Sequence, residues 1–132
     1  MPTPTASDTV TRDIRVRVTP QYEPDHSEPG ENRYIFSYSV VITNEGSDII
    51  TLRTRHWLII NGEGDREEVN GPGVVGFTPT LGPGETFRYS SYCPLDTDFG
   101  TMEGYYHMVN NFQEEFDVFI GRFYLVADSI RV

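Results

Sequence analysis

Strict two-residue alternation is the feature that most limits what this chain can become. In Arg12–Val18, the side chains of Ile14, Val16 and Val18 take one face, while Asp13, Arg15 and Arg17 take the other. That is the period of a strand with one face buried. Tyr34–Thr43 (YIFSYSVVIT) repeats the theme with aromatic and β-branched residues, the types that suit a pleated surface. Nowhere does a helical stripe bounded by caps interrupt. Further strands are predicted at Asp48–Ile60 with a kink or bulge near Arg55-His56, at Arg66–Val69, Thr86–Ser90, Met102–Val109 and Phe116–Val126.

The connections carry turn chemistry. Gln21–Asn32 holds Pro24, Pro29 and Gly30 among acids, Asn44-Glu45-Gly46-Ser47 reads as a turn, and Leu81-Gly82-Pro83-Gly84-Glu85 as another. Asn61-Gly62 is a hairpin signal because both residues tolerate positive φ. Residues 1–10 are Pro/Thr/Ser-rich and read as a flexible N-terminal arm; residues 11–132 read as one domain. Seven or eight strands without crossover helices predict an all-β, antiparallel β-sandwich, with a barrel as the alternative that periodicity does not separate.

Charge narrows the partners. Twenty acidic residues face ten basic ones, all Arg, for a net charge of -10. Long-range repulsion disfavours nucleic acid and anionic membranes, and the absence of Lys removes P-loop and Schiff-base chemistry. Cys93 is alone, so no internal disulfide or all-cysteine metal site is available. Nothing resembles a signal peptide or a transmembrane run, and a cytoplasmic protein is the expectation.

One run, Gly71-Pro72-Gly73-Val74-Val75-Gly76, spells the GxGxxG of dinucleotide-binding turns. Such a site needs a helix opening inside the motif, yet Pro79 and Pro83 follow where its interior would lie, and Pro72 lacks an amide. The run therefore reads as a tight connection docking Val74 and Val75 on the core. A residual possibility is an anion contact at Gly71, Gly73 and Gly76, assisted by Arg53, Arg55 and Arg66.

Arg53-Thr54-Arg55-His56-Trp57 concentrates guanidinium, imidazole and indole. In a regular strand Arg53, Arg55 and Trp57 share a face, which would suit a carboxylate, a phosphate or a protein anchor if exposed. The plainer reading makes Trp57 core, with the arginines paired to acids. His26, His56 and His107 show no metal-site spacing. Ser90, Ser91 and Cys93 lack a nucleophile elbow, so no enzyme chemistry is expected.

The same residues carry a family resemblance. Arg55-His56-Trp57-Leu58-Ile59, Val69-Asn70-Gly71-Pro72-Gly73-Val74-Val75-Gly76, and the Pro79, Leu81, Pro83-Gly84, Phe87, Tyr89 series resemble the bacterial ApaG family. So do Gly100-Thr101-Met102, Gly104, Tyr106, Met108 and the closing Phe116, Val118, Ile120, Phe123, Leu125. The resemblance implies an immunoglobulin/fibronectin type III-like sandwich. Related domains in a eukaryotic F-box protein and a polymerase-delta-interacting protein imply a non-enzymatic, protein-binding module.

The resemblance also implies indirect links to cobalt resistance and magnesium efflux, from which the family takes the alternative name CorD. Its genes often neighbour that of a diadenosine tetraphosphate hydrolase. No catalytic residue and no cofactor carry over. The chain departs from the usual pattern at Pro72, where Glu is common, at Phe77, where a charge is common, and at Tyr92, where Gly is more usual. The site residues expected for a protein partner are Arg53, Arg55, Trp57 and Phe77. A phosphate or nucleotide sensor at Gly71–Gly76 is the alternative.

Overall fold

The alternating segments pair into two antiparallel sheets. The computed structural model describes residues 5–127. Its strands are β1 (Ser7–Thr11), β2 (Ile14–Tyr22), β3 (Tyr34–Asn44), β4 (Ile50–Asn61), β5 (Arg66–Pro72), β6 (Thr80–Leu81), β7 (Thr86–Leu95), β8 (Phe99–Asn110) and β9 (Glu115–Val126). One sheet runs β1-β2-β3-β7 and the other β5-β4-β8-β9, with β6 also on β4. The architecture is an all-β, immunoglobulin/fibronectin type III-like sandwich.

The core follows the period-two pattern. Ile14, Val16 and Val18 on β2 and Phe36, Tyr38, Val40 and Ile42 on β3 are buried against Trp57, Tyr106, Val118, Ile120 and Phe123 of the facing sheet. Each such side chain contributes about 1.5–3 kcal/mol by leaving water. Trp57 meets Tyr38 edge-on at 5.4 Å and Phe123 at 5.8 Å between ring centroids, a favoured arrangement of ring quadrupoles.

Among the described residues nine strands exceed the expected seven or eight because two were not anticipated, β1 and the two-residue β6. Within the expected flexible arm, Ser7–Val10 is strand, paired with Arg15–Val18. Arg12 and Asp13 form the two-residue turn between them, with φ of 48° and 64°, the signature of a type I′ hairpin. Asp13 is thus a turn residue and not an outward strand position. Residues 1–4 lie outside the described residues.

Three strand-end asparagines organise the loops. Asn61 Oδ1 accepts the amides of Glu63 and Asp65 at 2.9 Å. The positive φ of that hairpin falls on Gly64, at 86°, rather than on Asn61 or Gly62, because the Asn61 side chain replaces a tight backbone turn. Asn110 Oδ1 likewise accepts from Phe112 and Glu114, and Asn44 Nδ2 donates to the carbonyls of Asp48 and Leu81.

Candidate functional site

The two sheets meet along two sides, and only one is sealed. On the β1–β9 side, Thr9 Oγ1 donates to the Phe119 carbonyl at 3.0 Å, and the Phe119 amide donates to Thr11 Oγ1 at 3.2 Å. The Tyr124 amide donates to the Thr5 carbonyl at 2.9 Å. Gly121 permits this approach, since a Cβ there would lie 2.6 Å from Thr9 Cγ2. On the opposite side β5 and β7 are the edges of their sheets and no ladder joins them.

That open seam holds a cleft of about 240 Å³. Tyr38, Arg55, Trp57 and Met102 line its floor, Val69 and Glu67 belong to β5, and Ser91, Tyr92, Cys93 and Pro94 belong to β7. A second recess, also about 240 Å³, shares Ile59, Glu67 and Pro94 with the first and continues to Asn61, Asp65, Arg66 and Asp96. Together they form a groove along the seam.

Arg55 closes one end. Its Nη1 donates to the carbonyls of Pro72 at 2.8 Å and Gly73 at 3.0 Å. The guanidinium lies flat against Gly71, where a Cβ would sit 2.9 Å from both terminal nitrogens. Gly71 is therefore needed to make room for Arg55. Behind it, the hydroxyls of Tyr89 and Tyr106 hydrogen-bond to one another. Burial pushes the pKa values of Tyr38, Tyr89 and Tyr106 up, an effect that the nearby charge of Arg55 partly offsets. Cys93 is pushed up to about 12 by burial and by the negative charge of Glu67. Its thiol is neutral near pH 7 and is no ready nucleophile.

The expected site residues separate. Arg55 and Trp57 share the inward face, but Arg53 does not join them. A β-bulge between Leu52 and Thr54 inserts Arg53 as an extra, exposed residue and shifts the phase of the strand, so the expected shared face of all three is corrected. Trp57 is core, as the plainer reading had it. Phe77 is 60% exposed, its ring 6.1 Å from that of Phe87.

The glycine run is a turn whose amides mostly face inward. Gly73 donates to Arg53 at 2.8 Å, Val74 donates to Phe77 at 2.8 Å, and Phe77 returns a bond to Val74 at 2.9 Å. Gly73, Val75 and Gly76 have φ of 59°, 43° and 86°. A Cβ at Gly73 would fall 2.3 Å from the Phe77 carbonyl oxygen. Val74 is buried as expected, whereas Val75 is 49% exposed, turned outward by its left-handed backbone. Arg55 meets the carbonyl side of this turn. Among its residues only Val75 and Gly76 keep amides without a backbone acceptor.

Tyr38, Tyr89, Ser91, Cys93 and Glu67 were not expected at a site. The signal was present for β7, because the alternation Phe87, Tyr89, Ser91, Cys93, Leu95 continues past Ser90 and all five turn inward. Pro94 hid it; as an edge-strand residue it has no ladder bond to lose on its outer side. The histidines lie elsewhere. His56 sits between Thr54 and Asn70 and stacks on Tyr105 at 4.4 Å, and His107 bonds Asp117 and Glu115. Among the described residues no group of three or more His, Cys, Asp or Glu is arranged to hold a metal, and no helix is long and apolar enough to cross a membrane.

Residues 24–110 match the family described as the ApaG domain. The Protein ApaG of Methylobacterium sp. (strain 4-46) is 50% identical over 121 residues, covering 92% of this chain and 93% of its own length. That of Bordetella pertussis is 50% identical over 113 residues, 86% of each. A crystal structure of a Bordetella pertussis protein described as ApaA superposes with a TM-score of 0.86 at 48% identity, covering 91% of this chain and 96% of that one.

Proposed function

The chain belongs to the ApaG family, and from that premise we propose that it is a non-catalytic interaction module whose open β5–β7 seam receives a segment of a protein partner in the cytoplasm. The observation that carries this reading is the asymmetry of the two sides. Edge strands are templates for further pairing unless they are covered, and β1 covers one side while the other is left as a groove. Adding a strand to such an edge is a common mode of peptide recognition. Tyr92, 64% exposed beside the groove, and Phe77 near its Arg55 end supply the aromatic surface that anchors interfaces. The links to cobalt and magnesium implied by the resemblance would run through that partner.

The test is site-specific photocrosslinking in cells, with benzoylphenylalanine replacing Tyr92 and, as control, Ser39 on the outer face of the four-stranded sheet. A discrete adduct from position 92 that position 39 does not give supports the seam. Equal or absent capture from position 92 overturns it.

A further inference from the structure

Resting on that seam reading, we propose that the occupant is an extended peptide segment of mixed charge: a carboxylate at one end, a basic side chain four to six residues away, and apolar residues between. The groove is built with that polarity.

At one end stands Arg55, half-buried. No carboxylate among the described residues lies within ion-pair distance of it, whereas Arg15, also half-buried, has Asp8 and Glu45. The other described arginines without an ion pair, Arg17, Arg33, Arg53, Arg66 and Arg88, are exposed. In a chain with twice as many acids as bases, a half-buried guanidinium without a counter-ion stands out, because a partly desolvated charge is costly unless paired. Only Nη1 is engaged, and it bonds to carbonyls. Nε and Nη2 remain for the two-pronged contact that guanidinium makes with carboxylate.

At the other end the sign reverses. Glu67 stands on β5, and Asn61 Nδ2 holds Asp65 Oδ2 at 3.2 Å and Asp96 Oδ1 at 3.0 Å. Arg66 also lines this recess but pairs with none of them. Between the ends lie Trp57, Val69, Met102 and the neutral Cys93.

The spacing follows from the register. Arg55 is opposite Gly71 and Ile59 is opposite Glu67. Four strand residues separate the two rows, roughly 13 Å at about 3.3 Å per residue, and Asn61 lies roughly 20 Å from Arg55. An extended peptide has the same rise, so its charges must be four to six residues apart.

The test uses three blocked heptapeptides titrated into the isotope-labelled protein. The first is acetyl-Ser-Glu-Val-Thr-Val-Lys-Lys-amide, the second has Gln for Glu, and the third has Gln for both Lys. The first is expected to shift the amides of Val69, Ser91 and Cys93, and each neutralised peptide to bind at least about tenfold more weakly, the worth of one charge-assisted hydrogen-bonded pair. The Gln-for-Glu peptide is the more cationic, so attraction to the net charge of -10 alone would make it the tighter ligand. Arg55→Gln should cost the first peptide the same factor and the Gln-for-Glu peptide nothing further. Glu67→Gln, at an exposed position, should weaken the first peptide without affecting folding. It carries the test even if Arg55→Gln loosens the turn. Equal binding of all three peptides, or no shifts with the first, overturns the proposal. If a Tyr92-specific crosslink persists in that case, the charge pattern alone falls and the seam stands.

Discussion

The two sides of this sandwich face the same problem and meet it differently. Each ends in strands whose outer backbone groups have no ladder partner. On the sealed side β1 folds back over β9, and threonine hydroxyls stand in for a ladder at Phe119. On the open side no ladder joins β5 to β7. Arg55 bounds one end of the groove while bonding within its own sheet to the carbonyls of Pro72 and Gly73, and at the other end Asn61 Nδ2 reaches across to Asp96 at 3.0 Å. One side is closed by hydroxyl and backbone bonds; the other keeps a groove with an unmatched charge at one end.

The contrast breaks first if the opening reaches the core. Trp57 lies beneath the groove but packs on Tyr38, Tyr106 and Phe123, so Trp57→Ala should cost about 3–5 kcal/mol in denaturant unfolding. A loss well below 1 kcal/mol would mean that the sheets part at depth. Next comes Gly71→Ala, whose methyl would displace the guanidinium. Loss of its two bonds to the turn should cost about 1–3 kcal/mol and disturb the amides of Gly73 and Val74. Thr9→Val on the sealed side removes one exposed hydroxyl bond, for about 0.5–1.5 kcal/mol, and should leave those amides unmoved. Parallel shifts from both variants would show that the sides are coupled.

How much of this was legible depended on whether the deciding interaction was local. The alternation of Ile14, Val16 and Val18 and the run Tyr34–Thr43 declare buried strand faces, because side-chain period is a property of one strand. The bulge at Arg53 is not local: it exists only in the pairing of β4 with β8, and it alone decides that Arg55, not Arg53, points inward with Trp57. The strand Ser7–Thr11 was hidden for a similar reason, since its few apolar residues matter less than its pairing with β2 and its contacts to β9. The run Gly71–Gly76 was visible, but its purpose was not. Gly71 accommodates a side chain from the neighbouring strand, a cause written 16 residues earlier.

The smallest expected effect concerns pH, and it falls on the sealed side. His107 on β8 bonds Asp117 through Nδ1 at 2.9 Å and Glu115 through Nε2 at 2.8 Å, both on β9. Both partners are carboxylates, so both ring nitrogens must donate, and only imidazolium can do that. Its pKa is accordingly raised above 6.5 by the hydrogen bond to Asp117 first and that to Glu115 next. A group with a raised folded pKa contributes stability that is full below its unfolded pKa of 6.5 and is lost as pH rises through the folded value. Stability should therefore decline slightly as pH rises above about 6.5, and His107→Gln should flatten that slope; the side chain is one-third exposed, so solvent screening keeps the effect small. Along the open seam, burial pushes Cys93 and the three tyrosines upward, away from this range. Amide shifts between pH 6 and 8 should accordingly gather along β8 and β9 around His107 and spare Arg55, Val69 and Cys93. A titration that moved the groove instead would place a second ionisable group there and end the distinction between the two sides.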